Sequence, residues 1–328
     1  MIRGLIPFCG RMSYCYSKCL KMVLDWKGDP YPLPLLECVT TVPFGFIYIA
    51  EPERKGGFAV CGFNPHLGVR RALEALGYRY EFCWFQDEDE ALSYLHAALG
   101  EGPVILGPVD MGYLSYSPFR RFQAGSDHYL VLTDFDDGVP IVNDPDGFLQ
   151  VPLPIEDLLV AWKAERIAYR EGPYSTWIIK ERERDPSREE LYRATLQLGL
   201  HNLQLSESRD LGKETMHQGP EAIERLAEDI RRYRSSHWLR FYATFSFRVS
   251  AQRCFDSARF IAEAPFANEY LEKASEVRMR QARLYGWAQW QAATKKFGTV
   301  AKTLGEIAEK EKEFARCLAE GLREVASQ

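Results

Sequence analysis

The sequence has no apolar run long enough to cross a membrane. Its best candidate, residues 31–50, contains Glu37 and three prolines, whereas a spanning helix needs about 20 predominantly apolar residues. The N-terminus also lacks the apolar core of a signal peptide, because Pro7 and Arg11 interrupt it. We therefore expect neither a membrane protein nor an ordinarily secreted one.

Zinc-binding cysteine patterns are missing as well. The eight cysteines include no Cys-x-x-Cys pair, and no Cys/His cluster has the spacing of a zinc site. A chain of 328 residues buries enough surface to fold without disulfides. We expect reduced thiols in a cytoplasmic protein, and we predict no metal and no cofactor.

The chain also lacks an excess of positive charge. Its formal net charge of −5 argues against a nucleic-acid partner. Residues 1–180 hold 16 Lys and Arg against 23 Asp and Glu, a net of −7, while residues 181–328 hold 25 against 23, a net of +2. With 46% apolar residues, the composition is that of a globular chain, and the length predicts about two domains.

The two halves of the chain have different hydrophobic patterns. Helix and strand patterns alternate up to about residue 180, and residues 128–143 predict a late antiparallel hairpin around an Asp-Gly turn. A charge run at 181–186 ends in proline, and helical patterning follows it. The sequence thus predicts an α+β domain with a mainly antiparallel sheet over 1–180 and an all-α helical domain over 187–328.

A thiol in a setting suited to a nucleophile lies at Cys15. Apolar spacing predicts a helix over 15–26 that begins at this residue. The N-terminus of a helix presents unpaired N–H groups and a positive potential, which stabilise a thiolate and can bind an oxyanion. Cys19 and Cys38 stand in apolar surroundings typical of buried thiols, whereas Cys9 is ambiguous.

A base and an orienting carboxylate are also available. His128 opens a strand, where an imidazole sits on a rigid element at the rim of a sheet, and His66, in a loop before a helix, is the other candidate. Sixteen residues after His128, the chain returns at Asp144 on the partner strand. A carboxylate there can accept the ring N–H and fix the tautomer. Each of these residues alone has an ordinary structural explanation. Such an explanation fits less well when Cys15, His128 and Asp144 occur together.

These segments resemble known cysteine enzymes. The runs "YCYSKCLKMVL" and "DHYLVLTDFDDGVPIVNDPDG" resemble papain-like cysteine enzymes, especially the bacteriocin-leader peptidases. The run "GPVILGPVDMGYLSY" looks like the N-terminal domain of the butirosin-biosynthesis aminoglycoside acyltransferase family, which also has a helical second half. The resemblance implies a papain-like fold in which Cys15 is the nucleophile, His128 the base and Asp144 the residue that orients the base.

Two positions depart from the pattern of these families. Papain-like enzymes usually have Gln six residues before the nucleophile, where its amide helps to form the oxyanion hole; here that position is Cys9. The acyltransferases tend to have His immediately before the nucleophile, and here Tyr14 stands there. The backbone N–H of Cys15, with Arg11 or Ser13 as substitutes, would then have to stabilise the oxyanion.

Three polar or aromatic side chains follow the apolar strand predicted over 103–107. Asp110, Tyr113 and Tyr116 would line an acceptor site, with the carboxylate facing an ammonium group and the rings forming walls. The alternative is an ordinary loop with packed tyrosines.

The resemblance implies acyl transfer in antibiotic biosynthesis, a branch of secondary metabolism. An acyl group would pass from a thioester, on an acyl carrier protein or a similar donor, through Cys15 to an amine-containing small molecule. The basic run Arg231, Arg232 and Arg234 would meet an acidic carrier protein or form a solvated helix face. Two alternatives stay open: a hydrolase (amidase or peptidase) with the same triad, and a non-catalytic binding protein on this scaffold. The sequence does not predict the oligomeric state.

Overall fold

The computed structural model describes residues 13–327. These residues form an α+β protein with antiparallel sheets and a helical C-terminal region. This much of the predicted fold class is confirmed. None of the helices described combines the length and the apolarity that crossing a membrane requires.

The regular elements of residues 13–327 alternate along the first half of the chain and are mainly helical in the second half. The strands are β1 (Phe46–Glu51), β2 (Gly56–Cys61), β3 (Tyr78–Cys83), β4 (Val104–Asp110), β5 (Asp127–Asp136), β6 (Val139–Asp144), β7 (Phe148–Pro152), β8 (Thr176–Arg182), β9 (Ser208–Asp210) and β10 (Thr215–Gln218). The helices are α1 (Cys15–Trp26), α2 (Leu33–Val39), α3 (Pro65–Leu76), α4 (Glu88–Leu99), α5 (Ile155–Lys163), α6 (Arg188–Gln204), α7 (Pro220–Tyr233), α8 (Ser236–Phe241), α9 (Phe247–Ala262), α10 (Glu269–Ala293) and α11 (Phe297–Ser327).

One compact unit comprises residues 13–36 and 64–185. Its sheet has the strand order β3-β8-β4-β5-β6-β7, and the neighbouring strands pair antiparallel. The predicted hairpin is confirmed as β5 and β6, with Asp136 paired to Val139. Asp137 and Gly138 between them have φ values of 47° and 79°, as a two-residue hairpin turn of type I′ requires.

The core of this unit lies against its sheet. Alternate residues of β4 and β5, such as Leu106 and Leu130, pack with Leu158 and Trp162 of α5, and all four side chains are fully buried. The indole N–H of Trp162 donates to the carbonyl of Ser175 (2.7 Å). Burying each such side chain stabilises the fold by roughly 1.5–3 kcal/mol, so the sheet is a rigid platform for residues at its strand ends.

The second compact unit comprises residues 37–63 and 186–327. Its sheet has the order β2-β1-β10-β9, in which Ile49 of β1 lies opposite Met216 of β10. This grouping differs from the predicted boundaries, which kept 1–180 together, and β9 and β10 depart from the all-α prediction for 187–328. The physical reason is the pairing itself, because β10 supplies the hydrogen bonds that one edge of β1 would otherwise lack.

A buried arginine joins the segment 37–63 to the helices of the same unit. Arg253 on α9 donates from Nε to Glu37 Oε1 (2.8 Å) and from a terminal nitrogen to the carbonyl of Cys61 (2.7 Å). The Arg253 and Glu37 side chains are 7% and 0% exposed. Charge-assisted hydrogen bonds of this kind are stronger than neutral ones, and they hold both ends of the segment.

A second arginine, on α10, makes the same kind of link. Arg278 is completely buried, donates to the carbonyl of Pro43 and pairs with Glu311 of α11 at 2.7 Å. A buried charge of this kind is tolerated only when it is paired and hydrogen-bonded.

We expect Arg278→Ala to lower the free energy of unfolding by about 3–5 kcal/mol, because Glu311 is left as a buried charge without its paired cation. Urea unfolding followed by circular dichroism at pH 7 measures this. Arg323→Ala is the control: it breaks an ion pair with Glu320 whose arginine is 70% exposed, and exposed pairs contribute about 1 kcal/mol or less. Equal losses in the two variants would contradict the expectation.

Candidate active site

Cys15 is the first residue of α1 and is partly exposed. The predicted helix over 15–26 is confirmed, and its first turn contains no acidic side chain. The N–H groups of a first helical turn have no acceptor within the helix, and this end carries a positive potential that favours anions. An anion that forms next to the sulfur would therefore meet backbone donors.

His128 and Asp144 lie together at one end of the β5–β6 hairpin. His128 is the second residue of β5 and Asp144 is the last residue of β6. His128 Nε2 is 2.8 Å from Asp144 Oδ1, and the two residues are 3% and 5% exposed. The hairpin register produces this contact, since it returns the chain beside the start of β5.

Two further groups, besides His128, donate hydrogen bonds to Asp144. The backbone N–H of Asp146 donates to Oδ1 (2.6 Å), and the Tyr116 hydroxyl donates to Oδ2 (2.7 Å). Burial alone would raise the pKa of Asp144, but the hydrogen bonds from His128, Asp146 and Tyr116 and the charge of His128 hold it below its usual value. Asp144 is thus kept as a carboxylate that can orient and stabilise an imidazolium.

The imidazole of His128 connects the carboxylate to the sulfur. Burial opposes its charged form, but hydrogen bonds with Asp144 and with Cys15 outweigh burial and hold the pKa of His128 well above its ordinary value. Because Nε2 faces Asp144, Nδ1 is the ring nitrogen left for the sulfur. The arrangement can therefore give a proton to a leaving group and take one from an attacking group.

A hydrogen bond and a ring contact join the start of α1 to the same end of the hairpin. Lys18 lies one turn after Cys15 and donates from Nζ to the carbonyl of Pro145 (2.9 Å). Pro145 directly follows Asp144. The Tyr16 ring packs edge-on against Tyr129 of β5, with centroids 6.0 Å apart. These contacts fix where the sulfur lies relative to the hairpin.

Cys19 is the other thiol near this site. It is fully buried, and burial, followed by the nearby Cys15 and Asp144, raises its pKa well above the usual value. The expected burial of Cys19 is confirmed, as is that of Cys38, which is also 0% exposed. Cys19 therefore remains a protonated thiol inside the core.

His66, the other candidate base, is not part of this group. Its ring is 1% exposed and packs edge-on against Phe82 and Trp177, with centroids 4.6 and 4.7 Å away. Burial and then the charge of Arg70 lower the pKa of His66 to about 3. It therefore stays neutral within the aromatic core.

The three predicted acceptor residues take different positions. Asp110 is 1% exposed, its Oδ1 accepts the backbone N–H groups of Gly112 (2.8 Å) and Gly125 (2.9 Å), and its Oδ2 has no partner among residues 13–327. Asp110 and Tyr113 line a pocket of about 270 Å³ beside α5. Tyr116 instead holds Asp144, a role that the sequence reasoning missed, because only its spacing after a strand was visible.

Two residues weighed for the oxyanion site, Cys9 and Arg11, lie outside the residues that the structure describes. Ser13 directly precedes Tyr14, the N-cap of α1. Across residues 13–327, no three His, Cys, Asp or Glu side chains are arranged to hold a metal ion.

The opposite pKa shifts of His128 and Asp144 set how their pair stabilises the fold. Because the pKa of His128 is raised in the folded protein, this group adds to the free energy of unfolding. Its contribution is complete below about pH 6.5 and is lost as the pH rises through the folded-state pKa. The pKa of Asp144 is lowered, so its contribution to the free energy of unfolding is complete above about pH 3.9 and is lost as the pH falls through the folded-state pKa. Both contributions are therefore complete together only between about pH 4 and 6.5.

We expect Asp144→Asn to reduce the free energy of unfolding most near pH 5, and less at pH 2.5 and at pH 9, because it removes the partner of the imidazolium. Urea titrations across this range measure the difference from the unaltered protein. Asp137→Asn, in the exposed hairpin turn, is the matched control and should show no such maximum. A difference for Asp144→Asn that is constant with pH would refute the expectation.

Comparisons with known proteins agree with the resemblance seen in the sequence. Residues 213–319 match the family model described as YobF C-terminal domain. The chain is 29% identical over 312 residues to the protein of Bacillus subtilis (strain 168) described as uncharacterized protein YobF. The aligned region covers 94% of this chain and 97% of that protein. Residues 14–145 match the model described as butirosin biosynthesis protein H, N-terminal, a range that contains Cys15, His128 and Asp144. Over residues 14–145, the chain is therefore similar to the butirosin biosynthesis protein H N-terminal family.

Proposed function

We propose that the protein is a cysteine-dependent acyltransferase that passes an acyl group from a thioester to an amine-bearing small molecule. The observation that carries this proposal is the buried His128, which interacts with both Cys15 and Asp144 at the N-terminus of α1. The match of residues 14–145 to a family model named for butirosin biosynthesis supports a biosynthetic acyl transfer. The proposal includes a papain-like arrangement of the helix, the hairpin and the three side chains.

In the first step, the thiolate of Cys15 attacks the carbonyl carbon of the donor thioester. The carbonyl π electrons move onto oxygen, and when they return, the bond to the donor sulfur breaks. The departing thiolate takes the proton of the His128 imidazolium, which leaves acyl-Cys15 and a free thiol. One thioester replaces another, so the exchange is nearly isoenergetic and needs no additional energy source.

In the second step, a neutral amine attacks the acyl carbon of acyl-Cys15. The neutral imidazole of His128 takes the proton that the amine nitrogen loses, and the Cys15 sulfur leaves as a thiolate. The product is an amide, and the thiolate and imidazolium are restored as a pair. Asp144 holds one ring orientation through both steps, because its hydrogen bond to Nε2 leaves Nδ1 facing the sulfur.

Both steps pass through a tetrahedral oxyanion beside the sulfur. The backbone N–H of Cys15 in the first turn of α1 is the donor we assign to this oxygen, and the positive end of the helix adds to its effect. Asp110 and Tyr113, which line the pocket beside α5, are the residues we assign to the acceptor side. The donor is a thioester carried by a small thiol or by an acyl carrier protein.

We expect a simple donor, the acetyl thioester of N-acetylcysteamine, to add one acetyl group per chain at pH 7, as measured by intact mass and peptide mapping. Cys15→Ala should abolish the adduct, and His128→Ala should slow its formation by about 10²–10⁴-fold, the usual contribution of an acid–base group. Cys83→Ala is the matched control, because Cys83 is the other partly exposed thiol of the described residues, and it should acylate normally.

An adduct that persists in Cys15→Ala, or eight thiols that react equally slowly, would refute the cysteine mechanism. Hydrolysis and transfer are then separated by adding an amine. Release of acid alone, at a rate that no amine changes, would identify a hydrolase with the same three residues. A protein that binds the thioester without forming any adduct would be a binding protein on this scaffold.

A further inference from the structure

Two tryptophans lie exposed side by side on α10. Trp287 and Trp290 are 58% and 49% exposed, and their rings meet edge to face with centroids 5.7 Å apart. Residues three apart on a helix lie on the same face. A single exposed apolar side chain is ordinary, whereas contiguous ones mark a surface that interacts with a partner.

Positively charged side chains continue the same face of α10 in both directions. Arg280 and Arg283 are exposed and precede the two tryptophans at the spacing of one helix face. At the other end, the Lys296 ammonium lies 4.1 Å from the centroid of the Trp290 ring, and Lys295 beside it is exposed. We call these exposed side chains the Trp–Lys face: Arg280, Arg283, Trp287, Trp290, Lys295 and Lys296.

The segments that form and adjoin this face contain no acidic residue. Residues 277–305 have no Asp or Glu, and neither have residues 230–255, which include the end of α7. The two segments meet where the Arg234 guanidinium lies 5.5 Å from the centroid of the Phe297 ring. Asp229 lines the same cleft as Phe297, but it is only 5% exposed and accepts a hydrogen bond from a buried tyrosine of β1. The exposed charge of this surface is therefore positive, and a partner that complements it is anionic.

We propose that the Trp–Lys face binds peripherally to an anionic lipid bilayer. Tryptophan favours the boundary between headgroups and hydrocarbon, where its apolar ring and its polar N–H are both accommodated. Lysine and arginine are attracted by negatively charged headgroups. Stable binding to a bilayer surface needs two such contributions together, and this face supplies both. Such binding needs no spanning segment, and it does not depend on the proposed acyl transfer.

Two other occupants fit the Trp–Lys face less well. A second copy of the chain, related by the two-fold axis usual in dimers, would place the same cations opposite each other, and like charges across an interface are unfavourable. A single-stranded nucleic acid stacks its bases on open aromatic rings. Here Lys296 covers one face of the Trp290 ring, and Trp287 meets that ring edge to face. A bilayer requires neither self-complementarity nor stacking.

The test is cosedimentation of the full chain with extruded vesicles at about 0.1 M NaCl. We expect binding to vesicles of phosphatidylcholine and phosphatidylglycerol in equal parts, and at least about tenfold weaker binding to phosphatidylcholine alone. Lys295→Gln combined with Lys296→Gln should weaken binding to the mixed vesicles by about 30-fold, as the loss of two basic residues beside an anionic surface implies. Trp287→Ala combined with Trp290→Ala should weaken it by at least about tenfold, because the apolar contribution is lost.

Tyr270→Ala combined with Lys273→Gln is the matched control, because it removes an exposed ring and an exposed lysine from the start of the same helix. It should bind the mixed vesicles as the unaltered protein does. Equal weakening by this control and by the variants of the Trp–Lys face, equal binding to both vesicle compositions, or no binding to either would overturn the proposal. A dimer in sedimentation velocity that the tryptophan variant abolishes, or binding of a single-stranded oligonucleotide in place of vesicles, would overturn it as well.

Discussion

The hydrogen bond between His128 Nε2 and Asp144 Oδ1, 2.8 Å long and almost completely buried, is the constraint on which the candidate site depends. It fixes the ring so that only Nδ1 is left for Cys15, and it makes a buried imidazolium tolerable, because the carboxylate beside it stays ionised. The contact exists because β5 and β6 form a tight hairpin whose strands return to the same end. Changes in that register would separate the ring from the carboxylate even if all three side chains were kept.

The loop between β4 and β5 supports this contact. At its base, Asp110 closes the loop through the N–H groups of Gly112 and Gly125. Farther along, Tyr116 reaches back to Asp144 Oδ2. Three residues that look like one group in the sequence thus have separate tasks. Asp110 closes the loop, Tyr113 lines the pocket beside α5, and Tyr116 holds the Asp144 carboxylate beside His128.

The division of the chain into compact units follows hydrogen bonding and buried charge rather than the order of the sequence. Residues 37–63 precede most of the unit that contains Cys15 and His128, yet β1 pairs with β10, and Arg253 and Arg278 bind the backbone of this segment. A change in composition near residue 181 was visible in the sequence, because charge and proline content are local properties. The pairing of β1 with β10 was not, because β9 and β10 are short and the two paired segments lie more than 160 residues apart.

By itself, the sequence determined the local structure on which the site rests: a helix that begins at Cys15 and a hairpin that carries His128 near its start and Asp144 at its end. Apolar periodicity and an Asp-Gly turn are local signals, so they can be read without partners. Only the tertiary structure decided which groups meet. The Tyr116 and Lys18 contacts and the neutral state of His66 depend on distance, burial and neighbouring charge, none of which a linear sequence contains.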